Sequence, residues 1–450
     1  MNARPRASAT PSVSGMRRPL TPARVIAIVS VWFVVGPLAA EDDFERPPIS
    51  YSETEPANAV TELQDRLARG DAQLAFDKSS GYLRSVLALL HVPISSQTLV
   101  FSKTSLQVRV ITPRNPRAIY FNDDVYVGFV RGGEVLEISV ADPKLGTVFY
   151  TLEQDFHEQP KFIRQADNCL ICHGGSHTRG VPGHIVRSLY TDRSGQPMFS
   201  AGSHRVDDTT PLANRWGGWY VTGRHGTATH LGNITYSQRL TPDAEVDTSG
   251  LNENDLSDRF DPTGYLSPHS DIVALSVLAH QASAHTILVK ASFDARTALH
   301  REASLNRELG EAPTYRWPST NAVLDAAAVS LVDCFLFSGA APLPAPIEGT
   351  TSFSKDFASM GPADARGRSL RALDLEERLF RYPCSFLIYS KSFDDLPEEL
   401  RRRFWAQLGA VLRGGEMGVK YAHLTAADRS AICGILLDTK SDAPRDWAAR

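Results

Sequence analysis

Cysteine is scarce in this 450-residue chain, with five in all, and methionine is equally rare. Too few thiols are present for a disulfide framework to hold so long a chain together. Positive charge is not in excess either. Lysine plus arginine number 47 against 51 aspartate plus glutamate, no basic tract stands out, and a nucleic-acid partner is not expected. Long apolar runs are also missing. The one run of note, Val25 to Val35, is about 11 residues, where a membrane-spanning helix needs ~20. No internal repeat is visible. What remains is a composition of 42 % hydrophobic and 22 % charged residues, that of a globular chain with room for two or three packed units.

The first forty residues differ from the rest. They hold Arg4, Arg6, Arg17, Arg18 and Arg24 and no acidic residue, then the apolar run, then Pro37-Leu38-Ala39-Ala40 before Glu41-Asp42-Asp43. This is the order of a secretory signal peptide over residues 1–40, with an uncleaved N-terminal anchor as the alternative. Arg17-Arg18 hints at twin-arginine export, but the flanking pattern fits the general secretory route better. The expected location is periplasmic or otherwise exported. Without those five arginines the net charge moves from −4 to about −9, mildly acidic, and no second apolar segment suggests a span after cleavage.

Two of the five cysteines lie in Cys169-Leu170-Ile171-Cys172-His173. At this composition the chain would hold such a CxxCH about 0.002 times by chance. The pattern is that of c-type haem attachment. Two thiols three positions apart can add across the two vinyl groups of the porphyrin, and the adjacent imidazole then serves the iron. Cys169 and Cys172 are therefore the expected covalent sites of one haem c, and His173 the proximal iron ligand. A zinc site from Cys169, Cys172, His173 and His177 is the weaker alternative, because adjacent Cys172 and His173 cannot easily take two corners of one tetrahedron. A thioredoxin-like CxxC is weaker still, with no βαβ unit evident around it.

Candidates for the sixth iron position lie in a glycine- and histidine-rich stretch, 174–233, holding His177, His184, His204, His225 and His230. His184 is the first choice, because Gly180-Val181-Pro182-Gly183 can fold the chain back toward His173. His225, His230, His280 and Met198 are alternatives, and an open site is another. His280 lies on the apolar stripe Val273-Val277-His280-Ala284-Ile287, where a hydrogen-bonded core histidine is the plainer reading. Trp216-Gly217-Gly218-Trp219-Tyr220 is either a wall for a porphyrin face or ordinary core. Cys334, Cys384 and Cys433 sit in apolar settings, either as buried thiols or as one disulfide with a thiol left over.

Along the chain, helices are expected from Pro56 to a stop at Gly70 and over Tyr82–His91. Alternation at Leu106–Val110, Val125–Val130, Glu134–Val140 and Thr147–Leu152 predicts three or four antiparallel strands. Their turns fall at Asn122-Asp123-Asp124, Gly132-Gly133 and 142–146. Residues 186–199 read as strand, turn, strand. Further helices are expected over Ile272–Val289, Ala322–Phe337, Pro397–Leu412 and Thr425–Leu437. The fold class is thus α+β, a small antiparallel sheet around the haem attachment segment followed by a mainly helical C-terminal part. The divisions run 41–165 (N-terminal α+β), 166–240 (haem attachment), 241–345 (helical) and 346–450 (mainly helical).

Several segments, among them PRAIYFNDDVYVGFV, NCLICHGG, GVPGHIVRSLY, RWGGWYVTGRHG, SPHSDIVALSVLAHQ and FRYPCSFLIYSKSFDDLP, resemble a group of bacterial exported monohaem proteins described as cytochrome c domain-containing. The resemblance runs from about Ile49 to Leu437. It implies haem binding and electron transfer through Cys169, Cys172 and His173, and supplies no substrate, partner or catalytic residue. The first functional expectation is an electron carrier working with a redox partner protein. A haem enzyme acting on peroxide or another small oxidant is the second, and a haem-based sensor or binding module the third.

Overall fold

The structure is a computed structural model and describes residues 43–237, 247–414 and 419–449. The expected signal segment, 1–40, lies outside the described residues. Residues 42–450 form one compact unit, so the divisions at 165, 240 and 345 mark stretches within it.

The architecture is α+β. Helix α1 (Ala59–Ala68) starts at Asn58, whose side chain accepts from the Val60 and Thr61 amides while Thr61 returns a bond to the Asn58 amide. Helix α2 (Leu83–Leu89) follows. Strands β1 (Thr98–Val100), β2 (Arg117–Phe121), β3 (Val125–Val130), β4 (Val135–Asp142), β5 (Gly146–Glu153) and β6 (Ile163–Arg164) precede the CxxCH turn, α3 (Leu170–His173). Strands β7 (Arg187–Leu189) and β8 (Ser203–Arg205) pair with each other, and β9 (Trp219–Tyr220) returns to the main sheet. That sheet has seven antiparallel strands in the order β6-β5-β4-β3-β2-β1-β9, larger than the three or four strands expected. Gly132, at φ 71°, makes the β3–β4 turn, and Asn122 Oδ1 accepts from the Asp124 and Val125 amides to close β2–β3.

One expected strand is absent. Leu106–Val110 forms turns in which the Gln107 carbonyl accepts from the Val110 and Ile111 amides, and the Gln107 side-chain amide donates to the Val135 carbonyl and Glu137. Within 186–199 the chain turns back on itself through an isolated antiparallel bridge, Thr191 to Pro197, and the strand that pairs with β7 is β8, beyond the predicted segment.

The two faces of the sheet differ. Along β4, Leu136, Ile138 and Val140 are buried in a cluster with Val60, Leu63, Leu83 and Val86 from α1 and α2. Glu137 and Ser139 point to the other face and are only partly covered. At one end of that face, Phe121 and Tyr126 join the second cluster, built on α4 (Ile272–Leu309). Asp271 caps α4 through the Val273 and Ala274 amides, and Gly310 ends it at φ 70°. Residues 272–282 are buried on every side, so α4 begins as a core helix and not as the amphipathic one expected. It is long and apolar enough to cross a membrane, yet 89 % of its most apolar 18-residue window is buried inside the protein. Helices α5 (Pro318–Phe335), α6 (Phe353–Ser359), α7 (Lys391–Asp394), α8 (Glu398–Leu412) and α9 (Ala426–Thr439) complete the helical C-terminal part. All five cysteines are free thiols, so no disulfide joins Cys334, Cys384 and Cys433.

Candidate functional site

The CxxCH residues occupy one helical turn at the surface. Cys169 is its N-cap, Leu170 packs into the sheet-side core, and Ile171 is 79 % exposed with Cys172 exposed beside it. The chain then loops back through 174–183. The Gly183 amide donates to the His173 carbonyl at 2.9 Å, and Thr178 Oγ1 donates to the same oxygen at 3.0 Å.

That return holds the imidazole. His173 Nδ1 lies 2.9 Å from the Gly183 carbonyl, and because a carbonyl only accepts, Nδ1 carries the proton. Nε2 therefore keeps its lone pair and makes no hydrogen bond among the described residues. The Phe149 ring packs at 4.9 Å. Burial holds the His173 pKa below the usual histidine value, which keeps the ring neutral. A ring fixed through Nδ1 with a neutral, unspent Nε2 is suited to ligate a metal. Gly183 is required at its place: a Cβ there would come 2.8 Å from Thr286 Oγ1 on α4.

Burial pushes the Cys169 pKa up to about 11, with Glu137 adding to the shift, so the thiol stays protonated. Among the described residues no three or more His, Cys, Asp or Glu side chains converge as metal ligands, so the zinc set of Cys169, Cys172, His173 and His177 is not assembled. Haem c does not ask for such convergence, since its thiols bond the macrocycle edge and only the imidazole meets the iron. The residues present therefore fit a c-type haem.

The sixth-position candidates fall in four places. His184 is buried, with a partner at each ring nitrogen. Its Nε2 is 3.1 Å from Ser139 Oγ, its Nδ1 3.3 Å from Thr147 Oγ1, and its ring 4.0 Å from the Tyr126 ring. It directly follows Gly183, whose carbonyl holds His173 Nδ1. Burial drives its pKa well below the ordinary value, with His285 and His173 adding repulsion. His225 has both ring nitrogens engaged, with the Ala228 carbonyl at 2.8 Å and the Asn252 amide at 3.0 Å. His230 accepts from the Gly232 amide through Nδ1, while its buried Nε2 has no partner among the described residues. Met198 is half-buried in the turn after β7.

His280 serves a different purpose. Its Nδ1 is 2.8 Å from Asp208 Oδ2 and its Nε2 2.8 Å from Ser385 Oγ, with Phe337, Phe380 and Phe386 around it. The order Ser–His–Asp is that of a nucleophilic triad, but Ser385 and His280 are fully buried and Ser385 Oγ also caps the Leu387 amide. It ties three distant segments together.

A cavity of about 700 Å³ adjoins the loop through Arg179, Gly180 and Val181, and is otherwise lined by Phe44, Ile49, α4 and α5; neither CxxCH thiol nor His173 faces it. Gly183 and Phe149 escaped sequence reasoning because each acts through its position beside His173, although GVPGH just after the motif was the available signal. Comparison with protein-family models, with curated proteins and with solved structures gives no match.

Proposed function

We propose that this chain is an exported monohaem c-type cytochrome that passes single electrons to and from a redox partner protein. Cys169 and Cys172 would hold the haem covalently and His173 would ligate its iron. Bound there, the haem supplies a one-electron couple. The observation that carries the reading is the His173 arrangement: Nδ1 spent on the Gly183 carbonyl, Nε2 unspent, and both cysteines on the same turn.

The surface position of that turn favours a carrier. Ile171 and Cys172 are exposed, so a group attached there has an edge near solvent, where a partner can approach. An enzyme would need a free acid or base over the iron. His184 and His225 have both nitrogens engaged, and His280 is sealed between Asp208 and Ser385; His230 alone of these keeps an unpartnered nitrogen, Nε2, and that atom is buried. Export follows from residues 1–40 and from the need to attach haem c outside the cytoplasm.

Voltammetry of the matured protein, with and without peroxide, tests the reading. A reversible one-electron wave that peroxide leaves unchanged is expected. A catalytic peroxide current well above that of the Cys169→Ala, Cys172→Ala protein would replace the carrier with an enzyme.

A further inference from the structure

The half-covered face of the sheet beside α3 carries one charged pair. Arg117 on β2 and Glu137 on β4 meet at 3.3 Å between Nη2 and Oε2, across the intervening β3. Phe149 on β5, whose ring packs on His173, pairs with Ser139, two residues along β4 from Glu137 on the same face. Gly128 on β3 lies beneath the guanidinium, and a Cβ there would come 2.7 Å from Arg117 Nε. The glycine thus makes a cradle in which the guanidinium lies against the sheet.

The pair is incomplete. The Glu137 carboxylate forms an ion pair with Nη2, yet Arg117 Nε is buried with no hydrogen-bond partner and Nη1 has none among the described residues. A guanidinium presents five donors in a fork that matches a carboxylate bidentately, and a buried donor left unpaired is costly. Arg117 side-chain exposure is 21 %, enough for an incoming carboxylate to reach it.

We infer that Arg117 binds a propionate carboxylate of the haem held at Cys169 and Cys172, with Glu137 as the residue that positions its guanidinium. This rests on the haem reading above. Bound to the propionate edge, the cation disfavours the more positive ferric state and raises the midpoint potential. Bonding a propionate also masks a negative charge that would act the other way.

The test compares haem-loaded wild type with Arg117→Gln and Arg117→Lys, and uses Arg403→Gln on α8 as a remote control. In spectroelectrochemistry, Arg117→Gln should lower the potential by about a tenfold change in the ferric-to-ferrous ratio, about 59 mV for one electron. Arg117→Lys should recover most of it, and Arg403→Gln should not move it. A loaded Arg117→Gln protein with the wild-type potential overturns the inference. Should Arg117→Gln fail to fold, Arg117→Lys carries the test: the propionate bending band in resonance Raman should move as the fork is lost, and a stationary band overturns it. Wild-type protein with no covalent haem would instead overturn the function proposed above.

Discussion

Replacing His280 with leucine separates a structural histidine from an iron ligand. The imidazole is fully buried and makes two hydrogen bonds of 2.8 Å, to Asp208 and Ser385. Leucine fills much of the volume between Phe337, Phe380 and Phe386, so the cavity contribution is small. The loss is polar. Ser385 Oγ, fully buried, is left with no acceptor, at about 1–3 kcal/mol, and the Asp208 bond, nearer solvent, adds ~0.5–1.5 kcal/mol. Together they give about 2–4 kcal/mol. At ~2.1 cal/mol/K per residue over about 410 residues, the unfolding entropy is ~0.9 kcal/mol/K, and Tm should fall by ~2–5 °C. The assay is urea and thermal unfolding followed by far-UV circular dichroism, alongside the visible spectrum. Adding Ser385→Ala should cost less than the sum of the two single changes, because the bond to His280 is already lost and only the cap on the Leu387 amide goes with it. A His280→Leu protein of wild-type stability, or one whose haem spectrum changes at wild-type stability, refutes the structural role.

His230 should make stability depend on pH. Burial lowers its pKa to about 3 against ~6.5 unfolded, so the unfolded chain binds the proton more readily. The contribution is complete above pH ~6.5 and declines as pH falls; at pH 5 it is about 2 kcal/mol smaller than at pH 8. Urea midpoints at the two values should show this for wild type and less of it for His230→Gln; equal slopes would contradict it. Gly183→Ala should disturb the carbonyl that holds His173, since the new Cβ would meet Thr286 Oγ1 at 2.8 Å. A shift in the midpoint potential is expected, and Thr286→Ala in the same chain should relieve part of it.

Local chemistry was the legible part. The turn residues of Asn122-Asp123-Asp124, Gly132-Gly133 and 142–146, and the Thr425 and Asp271 caps, announce elements that form within a few residues of them. The CxxCH segment is equally local, since Cys169, Cys172 and His173 share one turn. Leu106–Val110 misled because alternation alone does not supply a neighbouring strand, and the side chain of Gln107 ties that segment to β4 instead. Strands β1 and β9 were missed for the opposite reason. Three and two residues long, they carry too little pattern, and β9 follows Gly217 and Gly218. The histidines were the hardest. Whether an imidazole is spent depends on partners such as Ser139, Asn252, Asp208 and Ser385, which lie 27 to 105 residues away. No spacing rule reaches that far.

Haem staining of the exported protein on a denaturing gel is the most direct test of the central claim, with wild type run beside Cys169→Ala, Cys172→Ala. Covalent haem in the wild type and none in the double variant is the predicted result. Stain that survives denaturation in the variant, or a wild type matured with the attachment machinery that carries none, would contradict the account.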